Sequence, residues 1–61
     1  MTTYFVLYDP FNRDFAKAGH YPSVCHSLNG AKHFTSEWSA KKYRVANDMF
    51  SSYIVKKIQR Y

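Results

Sequence analysis

Three histidines and a single cysteine are the residues of this sequence best suited to metal or covalent chemistry. His20, Cys25, His26 and His33 follow one another in the middle of the chain. Structural zinc sites bring together two pairs of ligands at short separations, often including Cys-x2-Cys, and this spacing fits no such pattern. Adjacent residues such as Cys25 and His26 rarely direct their side chains at each other, so a nucleophile pair is not expected either. We therefore predict no metal ligands and no catalytic residues.

The rest of the composition also argues against enzymatic chemistry. The four acidic residues are too scattered to suggest an acid–base pair; they are Asp9, Asp14, Glu37 and Asp48. With two glycines, the chain has no Gly-rich phosphate loop. A chain of 61 residues also has little core with which to preorganise an active site. We expect a non-enzymatic protein that uses no cofactor.

The charge of the chain indicates the kind of partner. Nine Lys and Arg residues against four Asp and Glu give a formal net charge of +5. This balance favours nucleic acid or an acidic protein surface, although it can also serve solubility alone. The lone Cys25 allows no disulfide within the chain, and no signal peptide or apolar membrane span is visible. We expect a cytoplasmic protein that has no membrane partner.

Residues 34–50 are the stretch with a sustained helical period. Thr35 or Ser36 can cap the first turn, where Glu37 complements the helix dipole. We expect the apolar stripe to pack on a sheet, with Lys42 inside the same arc and extending along the sheet edge to reach water. The stripe comprises Trp38, Tyr43, Val45, Ala46, Met49 and Phe50.

The flanking segments predict strands. Residues 3–8 form an unbroken run dominated by β-branched and aromatic residues, residues 13–18 follow an Asp-Pro turn, and residues 53–58 come after the helix. Residues 19–30 predict a loop with a short extended piece at 23–26. The expected fold is a single α+β domain over residues 1–61, in which a three-stranded antiparallel sheet of order 2-1-3 (ββαβ) packs on one amphipathic helix.

One helix covers one face of such a sheet, so we expect the other face to be open. If Phe5 and Leu7 point at the helix, alternation places Tyr4, Val6 and Tyr8 on the open face. From the last strand we expect Ile54 and Ile58 under the helix, with Tyr53, Val55 and Lys57 on the open face. The predicted partner-binding residues are Tyr4, Tyr8, Arg13, Phe15, Lys17, Tyr53 and Lys57 on the sheet, with Lys41 and Arg44 on the helix.

An aromatic and basic face has more than one use. It can stack single-stranded bases, or it can anchor a protein partner through Tyr, Phe and Arg. A second copy of the chain could cover it in a homodimer, or residues 19–30 could fold over it. These alternatives remain open at the level of sequence, and residues 19–30 are a second expected contact region.

The layout resembles that of small proteins encoded by bacteriophages. The similar features are the Tyr-Phe-Val-Leu-Tyr start, the entry to the helix at Phe34, Ser36 and Ala40, and the closing Tyr-Ile-Val-Lys-Lys-Ile strand. This resemblance implies an accessory protein that binds and inhibits or modulates a host protein or nucleoprotein machine, with anti-CRISPR inhibitors as its most specific version. Many anti-CRISPR proteins are acidic DNA mimics, whereas this chain is basic. The resemblance therefore implies action on an acidic protein patch, on the nucleic acid of a nucleoprotein, or by steric occlusion.

Overall fold

The chain begins with its longest strand, and the other elements are arranged around it. The computed structural model describes residues 2–19 and 21–60. Within them the strands are β1 (Thr2–Asp9), β2 (Asp14–Ala16), β3 (Val24–Cys25) and β4 (Ile54–Arg60), and helix α1 spans Glu37–Ala46. Short 3-10 turns at Leu28–Gly30 and Asp48–Phe50 precede α1 and β4, respectively.

The described strands form an antiparallel sheet in the order β3-β2-β1-β4. β1 pairs with β4 from Thr2 opposite Arg60 to Tyr8 opposite Ile54. The predicted α+β class is confirmed, and the three expected strands have the expected order. The predicted number of strands is wrong, because β3 forms inside residues 19–30 and pairs with β2. The short extended piece expected at 23–26 is the part of that loop that becomes β3.

Two hydrophobic clusters occupy the two faces of the sheet. The cluster under α1 consists of Leu7, Ala16, Phe34, Ala40, Phe50 and Tyr53. The cluster on the opposite face is built on Tyr4, Val6 and Ala31, with Cys25 and Leu28 packed against it. The segment that holds β3 and the first 3-10 turn therefore covers the face that we expected to be open. Backbone hydrogen bonds attach this segment and the residues that follow it to the end of β2. The Ala18 N–H donates to the Gly30 carbonyl at 3.2 Å, and the Lys32 N–H donates to the Ala16 carbonyl at 2.8 Å.

Helix α1 starts as predicted but ends early. The Ser36 hydroxyl accepts a hydrogen bond from the Ser39 N–H at 3.2 Å, and Glu37 occupies the first turn. Asn47 is extended, and its side-chain amide donates to the Tyr43 carbonyl at 3.0 Å, which ends the helix. The predicted continuation of the helix to residue 50 is wrong. A 3-10 turn at Asp48–Phe50 follows instead, and in it Phe50 is fully buried.

The faces of β4 are the reverse of those predicted. Tyr4 lies opposite Ile58 and Tyr8 lies opposite Ile54. Directly opposed residues of antiparallel strands project to the same face. Ile54 and Ile58 therefore lie on the Tyr4 side of the sheet, whereas Val55 packs under α1. The sequence of β4 did not settle this, because each of its alternating sets contains both a lysine and apolar residues.

Candidate functional site

Much of the predicted apolar stripe faces solvent instead of the sheet, whereas Tyr43 and Phe50 pack into the core. Trp38 is 69% exposed and Val45 is 78% exposed, and Met49, just beyond the helix, is also exposed. The prediction that the stripe packs on the sheet is therefore wrong for Trp38, Val45 and Met49. We call the surface formed by Trp38, Lys41, Lys42, Val45 and Ala46 the outer face of α1. Trp38, Lys42 and Val45 are spaced so that they share one side of a helix.

The inner side of α1 uses smaller and more polar residues. Ala40 is fully buried, and its short side chain lets the helix lie close to the sheet. The Tyr43 ring lies 5.4 Å from Phe34 and 5.7 Å from Phe50, measured between centroids. The Arg44 guanidinium donates to the Tyr53 carbonyl at 2.9 Å. Phe34 precedes α1 and Phe50 follows it, and both fill the core together with Tyr43, so Trp38 and Val45 are not needed there.

A shallow groove lies beside the outer face. It has a volume of about 410 Å³ and borders both the helix and the segment that precedes it. Its lining residues are Phe34, Trp38, Ser39, Lys42, Tyr43 and Ala46. A second open depression of about 440 Å³ lies directly over the outer face. Apolar side chains with a few polar groups at the margin are the usual composition of a recognition surface.

Lys42 lines this groove, and Lys32 lies near two of its aromatic lining residues, Phe34 and Tyr43. The Lys42 ammonium lies 5.0 Å from the centroid of the Trp38 ring, and the Lys32 ammonium lies 5.4 Å from that of Tyr43. These distances are within the range of cation–π attraction. Among the described residues, one ion pair forms: the exposed Lys41 ammonium lies 3.2 Å from the exposed Glu37 carboxylate. No described carboxylate pairs with Lys32 or Lys42, so the groove carries uncompensated positive charge.

The aromatic residues predicted for the open sheet face are buried or half-buried. Tyr4 is 7% exposed, so its expected role on an open face is wrong. The His33 ring stacks on Tyr4 at 3.9 Å between centroids and 23° between planes. Tyr8 and Phe15 are half-buried, with their ring centroids 4.9 Å apart. Tyr4 is thus removed from solvent, whereas Tyr8 and Phe15 are only partly covered.

Tyr53 and Lys57 are not on the face predicted for them. Tyr53 is buried in the cluster under α1, where its hydroxyl donates to the Asp14 carboxylate. Lys57 lies opposite Phe5, which also packs against that cluster, and its side chain is exposed. The structure therefore separates Tyr53 and Lys57 from Tyr4 and Tyr8, and the predicted composite surface does not form.

The remaining predicted residues are dispersed. Arg13 is exposed in the β1–β2 turn, where it has a left-handed backbone with φ of 58°. Lys17 is exposed after β2. Lys41 borders the outer face of α1, whereas Arg44 is half-buried on the inner side. Of the nine predicted residues, the structure therefore places Lys41 on the candidate site.

The cysteine and the histidines do not assemble into a described site. The Cys25 thiol donates to the Ser27 carbonyl at 3.3 Å, and His26 lies 3.4 Å from the Arg13 carbonyl. His33 stacks on Tyr4, and His20 lies outside the described residues. Within residues 2–19 and 21–60, no group of three or more His, Cys, Asp or Glu side chains has the arrangement of a metal site.

Two buried acidic residues lie on opposite strands of the same β-strand pair. Asp9 and Asp14 are opposed at the end of the β1–β2 pair, and both are buried. Asp9 accepts hydrogen bonds from the Phe11 N–H and the Asn12 side-chain amide, each at 2.9 Å. Burial and the hydrogen bond to Asp14 raise the pKa of Tyr53 above its ordinary value. These hydrogen bonds hold the β1–β2 turn and the start of β4 in place.

The signal that pointed to the outer face of α1 was Lys42. A lysine in the middle of an apolar arc indicates that the arc meets water, because a buried ammonium is costly unless it is paired. Lys42 was expected to reach water at the edge of a stripe packed on the sheet, and Trp38, Lys42 and Val45 were not among the predicted binding residues.

The chain shows no match to known proteins. No family model, no curated protein and no solved structure matches the chain. Among the described residues, no helix is both long enough and apolar enough to cross a membrane.

Proposed function

We propose that this chain is a non-enzymatic accessory protein that binds a host protein or nucleoprotein machine through the outer face of α1 and inhibits or modulates it. The observation that carries the proposal is the exposure of Trp38 and Val45 beside Lys42, which pairs with no described carboxylate. Exposed tryptophan is costly to leave in water and is among the residues that contribute most to binding at protein interfaces.

The charge specifies the partner further. The groove beside α1 combines apolar side chains with Lys42, Lys32 lies near its Tyr43 ring, and the whole chain carries a net charge of +5. A partner surface with apolar residues surrounded by Asp and Glu would match it. An inhibitor of the anti-CRISPR type is the most specific form of this proposal, and its layout resemblance to phage proteins supports that form.

An autonomous nucleic-acid-binding domain is the second candidate. Lys42 over the Trp38 ring is an arrangement that can stack a base and neutralise a neighbouring phosphate. The two candidates differ in salt dependence, because a protein that neutralises several phosphates loses orders of magnitude in affinity between about 50 and 200 mM salt.

Affinity capture of the tagged full chain from bacterial lysate, with and without nuclease, tests the proposal. We expect a defined protein complex that survives nuclease. A variant carrying Trp38→Ser and Val45→Ser should lose it, with affinity for the identified partner reduced at least about 30-fold. Phe11→Ser is the matched control, because Phe11 is 93% exposed but lies in the β1–β2 turn.

Three results would contradict the proposal. Capture that is equal in the outer-face variant and in Phe11→Ser would remove α1 from the interface. Recovery of nucleic acid alone, released by nuclease or moderate salt, would favour the second candidate. A stable homodimer that depends on Trp38 and Val45, with no other protein captured, would make the outer face a contact between two copies.

A further inference from the structure

The last strand leaves one of its two edges without a partner among the described residues. β4 spans seven residues, Ile54–Arg60, and stands at the end of the sheet order β3-β2-β1-β4. It pairs with β1 along its whole length. A long exposed edge strand is a template for pairing with another extended chain.

Hydrogen bonds at β1 identify which backbone groups of β4 face outward. The Phe5 N–H donates to the Phe34 carbonyl at 2.9 Å, and the Phe34 N–H donates to the Phe5 carbonyl at 2.8 Å. Phe5 therefore points its backbone groups away from β4. Because these directions alternate along a strand, Tyr4 and Val6 point theirs toward β4.

The β4 residues opposite Tyr4 and Val6 direct their backbone N–H and C=O groups toward β1. Tyr4 is opposite Ile58 and Val6 is opposite Lys56, so Ile58 and Lys56 bond to β1. The alternate residues of β4 then direct their N–H and C=O groups to the open edge. They are Val55, Lys57 and Gln59.

The side chains along this edge are basic on both faces of the sheet. Lys56, Lys57 and Arg60 are exposed, and none of them forms an ion pair with a described carboxylate. Lys56 lies 4.9 Å from the Tyr8 ring centroid on one face, and Lys57 projects to the opposite face.

Symmetric pairing of β4 with a second copy is disfavoured by these charges. Two β4 strands that pair antiparallel are related by a two-fold axis. If this axis passes through Lys56 or through Lys57, that lysine lies opposite the same lysine of the second copy. If the axis passes through Ile58, Lys56 faces Arg60 of the other copy twice. These three are the symmetric antiparallel registers that pair at least five residues of β4. Each of them places like charges directly opposite one another, which destabilises a sheet.

We propose that the open edge of β4 binds an extended acidic segment of a partner protein by antiparallel strand addition. The outward backbone groups of Val55, Lys57 and Gln59 supply the hydrogen bonds, and Lys56, Lys57 and Arg60 select glutamate or aspartate opposite them. This surface is distinct from the outer face of α1, so its test does not depend on the function proposed above.

A designed peptide, Glu-Thr-Val-Glu-Glu-Thr-Val with blocked ends, tests the proposal by NMR titration. In antiparallel register its three glutamates lie opposite Arg60, Lys57 and Lys56. We expect the amide signals of Val55, Lys57 and Gln59 to shift and to gain protection from hydrogen exchange at peptide concentrations up to about 5 mM. The same peptide with lysine in place of glutamate should bind about tenfold more weakly or not at all.

Two matched pairs of variants separate strand addition from general charge attraction. Gln59→Pro removes an outward N–H without removing a bond to β1 and should weaken binding about fivefold relative to Gln59→Ala. Lys57→Glu should weaken binding about fivefold, whereas Lys17→Glu, which changes the net charge equally but is separated from β4 by β1, should leave it unchanged.

Several outcomes would overturn the proposal. The amides of β4 could remain unshifted by the acidic peptide, or the shifts could fall on α1 instead. Equal binding by the two Gln59 variants, in proteins that remain folded by their amide spectra, would show that no backbone pairing occurs. A single-stranded oligonucleotide that shifts the same amides more strongly than the peptide would assign this edge to nucleic acid.

Discussion

The Tyr53 hydroxyl donates a hydrogen bond to the Asp14 carboxylate, and this contact joins the entry to β4 with the start of β2 across the intervening strand β1. Both residues are buried. Tyr53 is therefore part of the core under α1 and not part of a binding surface. The contact links two residues that are 39 positions apart in a domain that has no disulfide between its described residues.

Replacing this tyrosine tests its structural role. Tyr53→Phe keeps the ring but leaves the buried Asp14 carboxylate without its donor. We expect the free energy of unfolding to fall by about 1 to 3 kcal/mol, measured by denaturant titration. Tyr21→Phe, at an exposed tyrosine, is the control and should have no effect. An unchanged stability in Tyr53→Phe would mean that this hydrogen bond contributes nothing in solution.

The same contact predicts an alkaline limit to stability. Burial, then the hydrogen bond and charge of Asp14, raise the pKa of Tyr53 above its ordinary value of 10.0. The unfolded chain thus loses this proton at lower pH than the folded chain. The stabilisation is complete below pH 10 and is lost as the pH rises above it, by about 1.4 kcal/mol per pH unit. Between about pH 10 and 12, unfolding free energy should fall more steeply in the wild type than in Tyr53→Phe. Parallel curves would contradict the raised pKa.

The two kinds of aromatic residue near α1 should respond differently to truncation. Phe50 is fully buried, so Phe50→Ala should cost about 3 to 5 kcal/mol of unfolding free energy. Trp38→Ser removes an exposed ring and should cost no more than about 1 kcal/mol, chiefly through its contact with Lys42. Thermal melts of the two variants check this. A large loss in Trp38→Ser would place Trp38 in the core and would undermine the proposed binding face.

The left-handed backbone at Arg13 predicts a stabilising substitution. Asparagine adopts this conformation at lower cost than arginine. Arg13→Asn should therefore raise the unfolding free energy by about 0.5 kcal/mol, whereas Lys17→Asn should leave it unchanged. If Arg13→Asn were destabilising, the guanidinium of Arg13 would have to make a contact that outweighs the backbone strain.

Much of the architecture could be predicted from local sequence. The unbroken run of apolar and β-branched residues in β1, the Asp-Pro turn after it and the Ser36 cap of α1 are local signals, and each appears in the structure where expected. The antiparallel order of the three expected strands also followed from the sequence of elements. β3 was harder to predict because it is only two residues long, and its pairing depends on β2.

The candidate site could not be predicted in the same way, because it depends on which surfaces meet. Helical period locates an apolar stripe but does not say what covers it. In this protein Phe34 and Phe50 fill the core from outside α1, so Ala40 packs inward and Trp38 is left in water. The register of β4 against β1 likewise decided the faces of Tyr53 and Lys57.

The sequence by itself determined the fold class, the positive charge and the start of the helix, since these depend on composition and on neighbouring residues. Only the tertiary structure decided which side of α1 is exposed and which face of the sheet is covered. Those outcomes arise from contacts between residues far apart in the chain, such as Phe5 with Phe34 and Tyr53 with Asp14. Local periodicity contains no information about such contacts.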